Sequence, residues 1–324
     1  MNKRIYGVLG ISSIMANWNA DFTGYPKTTS NGDIFGSDKA FKYPMKKMWE
    51  NSGEKVLYIK SMKLSEGKNG EVDIVPRSLK ERYEFIFNEE DLKKNKDSRK
   101  ILTNLFSAID VKNFGATFAE EGNNISITGA VQIGQGFNEY EASYAEEQQI
   151  LSPFRDATVK DKPKNKDKDS DEEEKEARNS TLGTKIVSNE AHYFYPFTIN
   201  PMAYKEFEDL GLTNGYTEED YAKFKKAAIS AATAFATNSK VGCENEFALF
   251  VETESDLYLP NLTQYVKFEK GENKNLIKIE CGEIINSLRE RIKNIEIYYN
   301  SYTTTIDANI EGAKFYNIFT NEEV

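Results

Sequence analysis

Residues 3–16 read Lys-Arg-Ile-Tyr-Gly-Val-Leu-Gly-Ile-Ser-Ser-Ile-Met-Ala, an apolar stretch with a basic start. A short signal peptide can look like this, but its cleavage site needs the pattern small-any-small. Ile14-Met15-Ala16 and Trp18-Asn19-Ala20 both lack that pattern. We therefore interpret residues 3–16 as a buried first strand, and we expect a cytoplasmic protein.

The segments that follow this strand alternate between helical and extended patterns. Ser37 or Asp38 can cap a first helix, and Thr217 with Asp220 forms a capping box for a second. The predicted core elements are strand 3–16, helix 38–50, strand 124–137, strand 185–199, helix 217–236 and strand 246–255. This order predicts an α+β fold with a ferredoxin-like, RNA-recognition-motif-like βαββαβ core. Residues 56–60 remain an alternative for the second core strand, because periodicity does not decide between the two.

Several segments lie outside these six core elements. We expect a strand over 54–60, a turn over 65–70, a short helix over 101–109 and a strand over 276–279. Residues 284–299 fit a helix or a strand equally well, so both interpretations stay open.

The charge balance is acidic over the whole chain of 324 residues, at 42 − 52 = −10. Diffuse positive charge is what most nucleic-acid-binding proteins use, so any such site here must be a local patch. Residues 161–176 hold five lysines and eight acids without a large apolar residue. Burial cannot offset the ordering entropy of such a run, and we expect it to be mobile.

Metal, cofactor and membrane functions find little support in the sequence. Two cysteines and a single histidine are too few for a structural zinc site. The histidine, His192, lies in an aromatic strand and is interpreted as a packing residue. Gly129 and Gly134 have phosphate-loop spacing, but Gln135-Gly136 replaces the Lys and Ser/Thr that such a loop needs. We expect no cofactor and no membrane partner.

A family resemblance rests on segments that occur in consistent order over residues 3 to about 205. These segments are Gly7–Gly10, Asn17–Phe22, Pro26–Ser30, Ile34–Lys42, Ile127–Ile133 and Thr181–Lys185. The chain resembles the guide-RNA-binding backbone subunit of type I CRISPR Cascade complexes, of the RAMP superfamily, and is most similar to the type I-B form.

The resemblance implies a ferredoxin-like palm with inserted fingers and thumb. The implied parts are a palm over 1–51, 112–137 and 184–324 with a C-terminal extension, fingers over 52–111, and a thumb over 138–183 that includes the run 161–176. Several copies would form a helical filament, in which the guide spacer is held for pairing with target DNA in antiviral defence. Implied partners are the guide RNA, target DNA, further copies of the chain, the guide-processing endonuclease and the large subunit.

Three candidate phosphate-binding residues lie at the start of the first helix. Lys42 and Lys46 are four residues apart on one helical face, so both ammonium groups could reach successive phosphates. Ser37 and the free amides of the helix start can bind an anion. The family resemblance assigns the same role to these residues, and an ordinary solvated lysine face is the alternative.

Other candidates lie in the loop after the first strand, in the second core strand and at the base of the thumb. By resemblance or by their polarity, the further RNA-binding candidates are Asn17, Asn19, Gln132, Gln135, Thr181, Gly183, Thr184 and Lys185. Trp18, Phe22 and Tyr25 could stack on bases or cap the edge of the core.

Two other functional classes stay open beside a non-catalytic RNA-binding subunit. Type III-like subunits cut target RNA with a metal and a loop aspartate, for which Asp33 or Asp21 would serve here. Asp33 also fits an ordinary Asn-Gly-Asp turn, and type I backbones are non-catalytic. Magnesium-dependent RNA cleavage that Asp33→Ala abolishes would identify the enzyme. A scaffold that binds protein alone would show no salt-dependent RNA binding.

Deleting residues 161–176 should leave the rest of the chain folded, because this run offers no apolar surface to a core. The shortened protein should remain a soluble monomer with the thermal midpoint of the full chain in a melting experiment. Aggregation or loss of the cooperative transition would contradict the prediction.

Overall fold

The computed structural model describes residues 1–67, 70–95, 97–151 and 182–324. Its strands are β1 Arg4–Ala16, β2 Phe35–Gly36, β3 Met62–Glu66, β4 Val72–Pro76, β5 Gly115–Phe118, β6 Ile125–Thr128, β7 Val131–Ile133, β8 Gly136–Asn138, β9 Ala145–Leu151, β10 Leu182–Ile199, β11 Cys243–Thr253, β12 Val266–Glu269, β13 Asn275–Ile279, β14 Ile292–Tyr299, β15 Thr304–Ala308 and β16 Lys314–Asn317. Its α-helices are α1 Asp38–Asn51, α2 Leu79–Phe87, α3 Ser98–Ser107, α4 Ile109–Phe114, α5 Lys205–Asp209, α6 Glu218–Ala228, α7 Ala231–Ala234 and α8 Gly282–Ser287. These elements confirm the predicted α+β class.

Strand β1 lies at the centre of a nine-stranded sheet. The order of the sheet is β16-β14-β11-β1-β10-β8-β2, and β7 and β9 also pair with β10. Strand β1 is antiparallel to both neighbours, with Ile5 opposite Ile199 on one side and Glu252 on the other. A Cβ atom on Gly7 would lie 2.0 Å from the carbonyl oxygen of Leu249, so only glycine allows this close approach. The predicted first strand is thus confirmed as the one on which the sheet is built.

One face of the sheet packs on helices. Ser37 begins α1 by accepting a hydrogen bond from the amide of Ala40, and Phe41, Met45 and Trp49 of that helix are buried against the sheet. Helix α6 begins at the predicted capping box and also packs on this face. Side chains alternate between the two faces along β1: Ile5 and Leu9 point to the helices, while Tyr6 and Val8 point to the opposite face.

The opposite face of the sheet is covered by the C-terminal part of the chain. Strands β12, β13 and β15 form a small sheet of their own, and residues of β12, β13 and α8 enter a second core with β11 and β14. Residues 284–299 contain both open alternatives, since α8 is followed by a short turn and then by β14. The predicted strand over 276–279 is confirmed as β13.

Two predicted core elements are interrupted. The strand expected over 124–137 is wrong as a single element: it divides into β6, β7 and β8, and β6 pairs with β5 outside the main sheet. The break occurs at Gly129, whose backbone packs directly on Phe114 and Gly115. The helix expected over 217–236 ends at Ala228, because the side chain of Asn245 donates to the carbonyl oxygen of Ala228 and accepts from the amide of Ala232.

The strand predicted over 54–60 is also wrong, and with it the alternative second core strand. Val56 and Leu57 are buried, as the apolar pattern required, but the chain bends. The buried carboxylate of Asp110 accepts hydrogen bonds at 2.8 Å from the amides of Leu57 and Tyr58, which are therefore unavailable to a sheet. The predicted turn over 65–70 falls between the paired strands β3 and β4, although residues 68 and 69 lie outside the described part of the chain. The helix expected over 101–109 begins earlier, as α3.

His192 links the two cores through a buried ionic cluster. Its Nδ1 lies 2.8 Å from a carboxylate oxygen of Glu246, and its Nε2 lies 3.0 Å from one of Glu190. Carboxylates accept hydrogen bonds only, so a ring that donates at both nitrogens is the imidazolium cation. The ring stacks on Phe268 of β12 at 3.7 Å, and Lys270 of the same C-terminal segment binds Glu190. The interpretation of His192 as a packing residue agrees with this burial, and the cluster adds charge to that packing.

This cluster should make stability depend on pH. Burial opposes the charge of His192, but the carboxylates of Glu246 and Glu190 outweigh it and raise the pKa of the ring. The stabilisation is fully present below about pH 6.5, the pKa of an unfolded histidine, and is lost as the pH rises through the raised pKa of the folded state. Urea unfolding at pH 6 and at pH 8 should therefore give a smaller free energy of unfolding at the higher pH, by at most about 1.4 kcal/mol per pH unit.

His192→Gln is the control for this pH effect, because glutamine keeps hydrogen-bonding capacity without a titrating ring. The variant should be less stable than the wild type at pH 6, and its stability should change less between the two pH values. An equal pH dependence in the two proteins would show that another group is responsible.

Candidate nucleic-acid interface

The loop after β1 is joined to the base of the predicted thumb by Asn17. This side chain is 3% exposed, and its Nδ2 donates to the carbonyl oxygens of Gly24 at 2.8 Å and Ile186 at 3.3 Å. Its Oδ1 is buried and accepts no hydrogen bond from the described part of the chain. Such oxygens normally have a partner, so this one is an exception within the described residues. A second contact joins the hydroxyl of Tyr25 to Glu147 of β9.

The same loop is joined to the start of α1 by Asn19. Its Oδ1 accepts a hydrogen bond of 2.8 Å from the amide of Ser37, the residue that caps the helix. The side chain of Trp18, between the two asparagines, is buried and donates to the hydroxyl of Tyr195. Trp18 therefore caps the core, whereas Asn17 and Asn19 fix the loop at its two ends.

Lys42 occupies the first two turns of α1 and already has an anionic partner. Its ammonium lies 2.8 Å from Asp38, and the Lys42 side chain is 16% exposed. Partial burial opposes the charge of Asp38, yet hydrogen bonds from Lys42 and Gln135 hold the pKa of this carboxyl below its usual value. The structure thus brings Lys42 and Gln135 together at the carboxylate of Asp38, the residue that directly follows Ser37.

Lys46 points toward the predicted fingers. Its ammonium lies 3.2 Å from the carbonyl oxygen of Tyr58 and 3.8 Å from the carboxylate of Asp110. Burial lowers the pKa of Lys46, although Asp110 acts in the opposite direction. The ring of Phe114 lies beneath both lysines, 5.1 Å from the Lys42 ammonium and 5.9 Å from that of Lys46. The alternative of a solvated lysine face is therefore wrong, since both side chains are mostly buried and paired.

The remaining candidates lie at the two ends of this region. Gly183 and Thr184 are exposed in β10, and Lys185 is half-buried opposite Gln148 of β9. Thr181 lies outside the described residues. Gln132 is exposed in β7, and its Nε2 donates to the carbonyl oxygen of Gly129, whose backbone contacts Phe114.

The two loop aspartates each serve their own turn. Oδ1 of Asp21 accepts from the amide and the hydroxyl of Thr23, and these bonds lower the pKa of Asp21 despite some opposing desolvation. Asp33 accepts from the hydroxyl of Thr29 at 3.1 Å. In the described ranges, no group of three or more histidine, cysteine, aspartate or glutamate residues is arranged to hold a metal ion.

Asp38, Asp110 and Phe114 are the residues of this site that sequence reasoning missed. Asp38 had a usable signal, because it precedes Lys42 by four residues on one helix and such pairs form ion pairs. Asp110 and Phe114 had none, since α4 reaches Lys46 only through the tertiary fold.

No helix of the described residues is long and apolar enough to span a membrane.

The fold and the sequence both have relatives among CRISPR-associated proteins. The fold resembles that of a chain in a solved structure described as "CRISPR RNA-guided surveillance complex, pre-nicking", with a TM-score of 0.50 and 16% sequence identity over 97% of this chain and 96% of that one. The sequence model of the family described as CRISPR-associated protein Cas7 matches residues 3–285. The chain therefore belongs to the Cas7 family. No curated protein matches it in sequence.

Replacing Asp110 should destabilise the protein strongly. Asp110→Ala would leave the amides of Leu57 and Tyr58 without their acceptor and the Lys46 ammonium without its carboxylate, a loss of about 3–5 kcal/mol for one partner of a buried pair. Asp110→Asn keeps one acceptor oxygen and should lose less. Denaturant unfolding measures both. The exposed Asp209, paired with Lys205, is the control, and Asp209→Ala should leave stability nearly unchanged. Equal losses for Asp110→Ala and Asp209→Ala would contradict this role of Asp110.

Proposed function

We propose that this protein is a non-catalytic backbone subunit of a type I CRISPR surveillance complex, in which it binds guide RNA. The observation that carries the proposal is a continuous path of contacts through three segments distant in sequence: the thumb base at Ile186, the loop fixed by Asn17 and Asn19, and the helix start at Ser37 and Lys42. Membership of the Cas7 family and the likeness to a chain of an RNA-guided surveillance complex support it.

The domain organisation that we propose is a ferredoxin-like palm with two insertions. The sheet order β11-β1-β10-β8 supports a palm, because it corresponds to core strands four, one, three and two of a βαββαβ unit. The proposed parts are a palm over 1–51, 112–137 and 184–324, fingers over 52–111 and a thumb over 138–183. The exposed β9–β10 ribbon supports a thumb that leaves the palm at this edge.

RNA binding at this path is proposed to work by exchange of anionic partners. Lys42 is paired with Asp38 in the free protein, so a phosphate must compete with this carboxylate. The amides at the start of α1 add a site for an anion, and the buried side chain of Asn17 would act by holding the loop in place beside it. The other proposed contacts come from Asn19, Ser37, Lys46, Gln132, Gln135, Thr181, Gly183, Thr184 and Lys185. Binding of this kind reads the backbone, and base pairing supplies sequence specificity.

The proposed partners follow from the same assignment. In the cytoplasm, copies of the chain would form a helical filament on one guide RNA. That filament would present the spacer to target DNA and contact the guide-processing endonuclease and the large subunit. Antiviral defence would follow from the pairing of guide and target, with cleavage left to a separate enzyme.

Two substitutions at the same ion pair should change RNA affinity in opposite directions. Lys42→Gln should weaken binding and flatten the slope of log K against log salt by about 0.7, the value for one phosphate contact on single-stranded RNA. Asp38→Asn removes the competing carboxylate and should tighten binding at low salt by about two- to fivefold, the equivalent of a partly exposed ion pair. Fluorescence anisotropy with a short single-stranded RNA measures both.

Lys205→Gln is the matched control, because Lys205 is an exposed lysine in an i,i+4 pair on another helix. It should leave affinity and slope unchanged. If Lys42→Gln behaved like this control, or if Asp38→Asn weakened binding as much as Lys42→Gln, the helix start would not be part of the RNA site.

A further inference from the structure

Lys240 lies partly buried beside the loop that follows β1. Its ammonium donates a hydrogen bond of 2.8 Å to the carbonyl oxygen of Asn17 and a second hydrogen bond to the carbonyl oxygen of Trp18. The same ammonium lies 5.3 Å from the centre of the Trp18 ring, within the range of a cation–π interaction. One side chain thus contacts two successive backbone carbonyls and an aromatic ring of this loop.

The partners of Lys240 differ from those of the lysines on α1. Lys42 and Lys46 each lie within reach of a carboxylate, at 2.8 Å and 3.8 Å. Both acceptors of Lys240 are backbone carbonyl oxygens instead. Hydrogen bonds from a charged donor are roughly twice as strong as those between neutral groups. Lys240 is therefore placed to hold the backbone of the loop.

The turn that carries Lys240 is itself bonded to the end of β1. The amide of Asn17 donates to the carbonyl oxygen of Ser239, and the amide of Ile14 donates to that of Gly242, both at 2.9 Å. A Cβ atom on Gly242 would lie 2.3 Å from the carbonyl oxygen of Ile14, so glycine allows this approach. Lys240 therefore extends from a turn whose position relative to β1 is fixed.

The ring of Trp18 connects this turn to the start of α1. Its Nε1 donates to the hydroxyl of Tyr195. A Cβ atom on Gly36 would lie 1.8 Å from that hydroxyl oxygen and 2.7 Å from Cδ1 of Trp18. The backbone directly before Ser37 thus packs on both aromatic side chains. The ring that Lys240 contacts therefore lies against the residues at which α1 begins.

We infer that Lys240 is a positioning residue for RNA binding: without touching RNA, it holds the loop after β1 and the start of α1 in the arrangement that binds the RNA backbone. Ordering a binding surface in advance improves affinity, because less conformational freedom is lost when the ligand binds. This inference rests on the proposed RNA-binding function, and it adds a residue on a turn outside the proposed contacts.

Substitution of Lys240 tests this role through affinity and its salt dependence. Lys240→Met keeps an unbranched apolar chain but removes the ammonium. It should weaken binding of a short single-stranded RNA about tenfold, the order of one charge-assisted hydrogen bond. The slope of log K against log salt should stay at the wild-type value, because no phosphate contact is lost. Lys240→Arg keeps the charge, the donors and the attraction to an aromatic ring, and should bind within about threefold of the wild type.

Fluorescence quenching of Trp18 reports on the loop directly. The chain has two tryptophans, so Trp49→Phe leaves Trp18 as the only one. In that background, Lys240→Met should raise the acrylamide quenching constant of the buried Trp18 about twofold or more, because the loop opens more often without its hydrogen bonds. Lys240→Arg should leave the quenching constant near that of the Trp49→Phe protein.

Lys226→Met is the matched control, because Lys226 is an exposed lysine on α6. It should change neither RNA affinity nor the quenching of Trp18. Thermal melts establish that every variant is folded at the temperature of the binding experiment. If Lys240→Met does not melt cooperatively, Lys240→Gln replaces it, since glutamine keeps one donor without the charge and the same two measurements apply.

The outcomes separate the inference from the proposed function. Wild-type affinity of Lys240→Met, an unchanged quenching constant, or a Lys240→Arg protein that binds as weakly as Lys240→Met would overturn the inference. A slope flattened by about 0.7 would overturn it as well, because the ammonium would then contact a phosphate. A wild type that binds no RNA would instead contradict the proposed function, and the quenching of Trp18 would still decide whether Lys240 holds the loop.

Discussion

The antiparallel pairing of β1 with both β10 and β11 is the constraint on which the rest of the structure depends. Each residue from Ile5 to Ser13 has a partner on both neighbouring strands, and Gly7 permits a backbone approach that no other residue would allow. Because β1 is paired on both sides, no further strand can be added beside it. The long additions to the chain therefore leave from the ends of strands, and the loop after β1 emerges beside the base of β9 and β10.

The charges near α1 are organised as pairs, not as a positive surface. Asp38 neutralises Lys42, and Asp110 partly neutralises Lys46, so the candidate interface has little net charge of its own. This agrees with the overall balance of −10. If it binds RNA as we propose, a protein built in this way would attract RNA weakly from a distance and hold it through short-range exchange of ion-pair partners, which would limit indiscriminate binding.

The sequence was sufficient to predict long elements whose apolar residues follow a clear helical or strand period. It was insufficient where a side chain from a distant part of the chain takes the backbone hydrogen bonds of an element. The strands β1, β10 and β11 and the helix α1 were predicted because their apolar patterns agree with their packing. The errors over 54–60 and 217–236 have one cause: buried polar side chains, Asp110 and Asn245, take backbone hydrogen bonds that local propensity would have given to a strand or a helix. The same limit applies to the site, where the lysines were predicted but Asp110 and Phe114 were not.

The helices on one face of the main sheet and the C-terminal segment on the other restrict where a nucleic acid could contact the sheet. In an RNA-recognition motif, aromatic side chains on an open sheet face stack on bases and recognise them. Here β1 alone sends Leu9 into the helical core and Val8 into the C-terminal core, so that the sheet has no such open platform around its central strand. On the proposed function, we therefore expect a strand of RNA to lie along the rim of the sheet and to be bound through its backbone. Such binding would not depend on the identity of the bases.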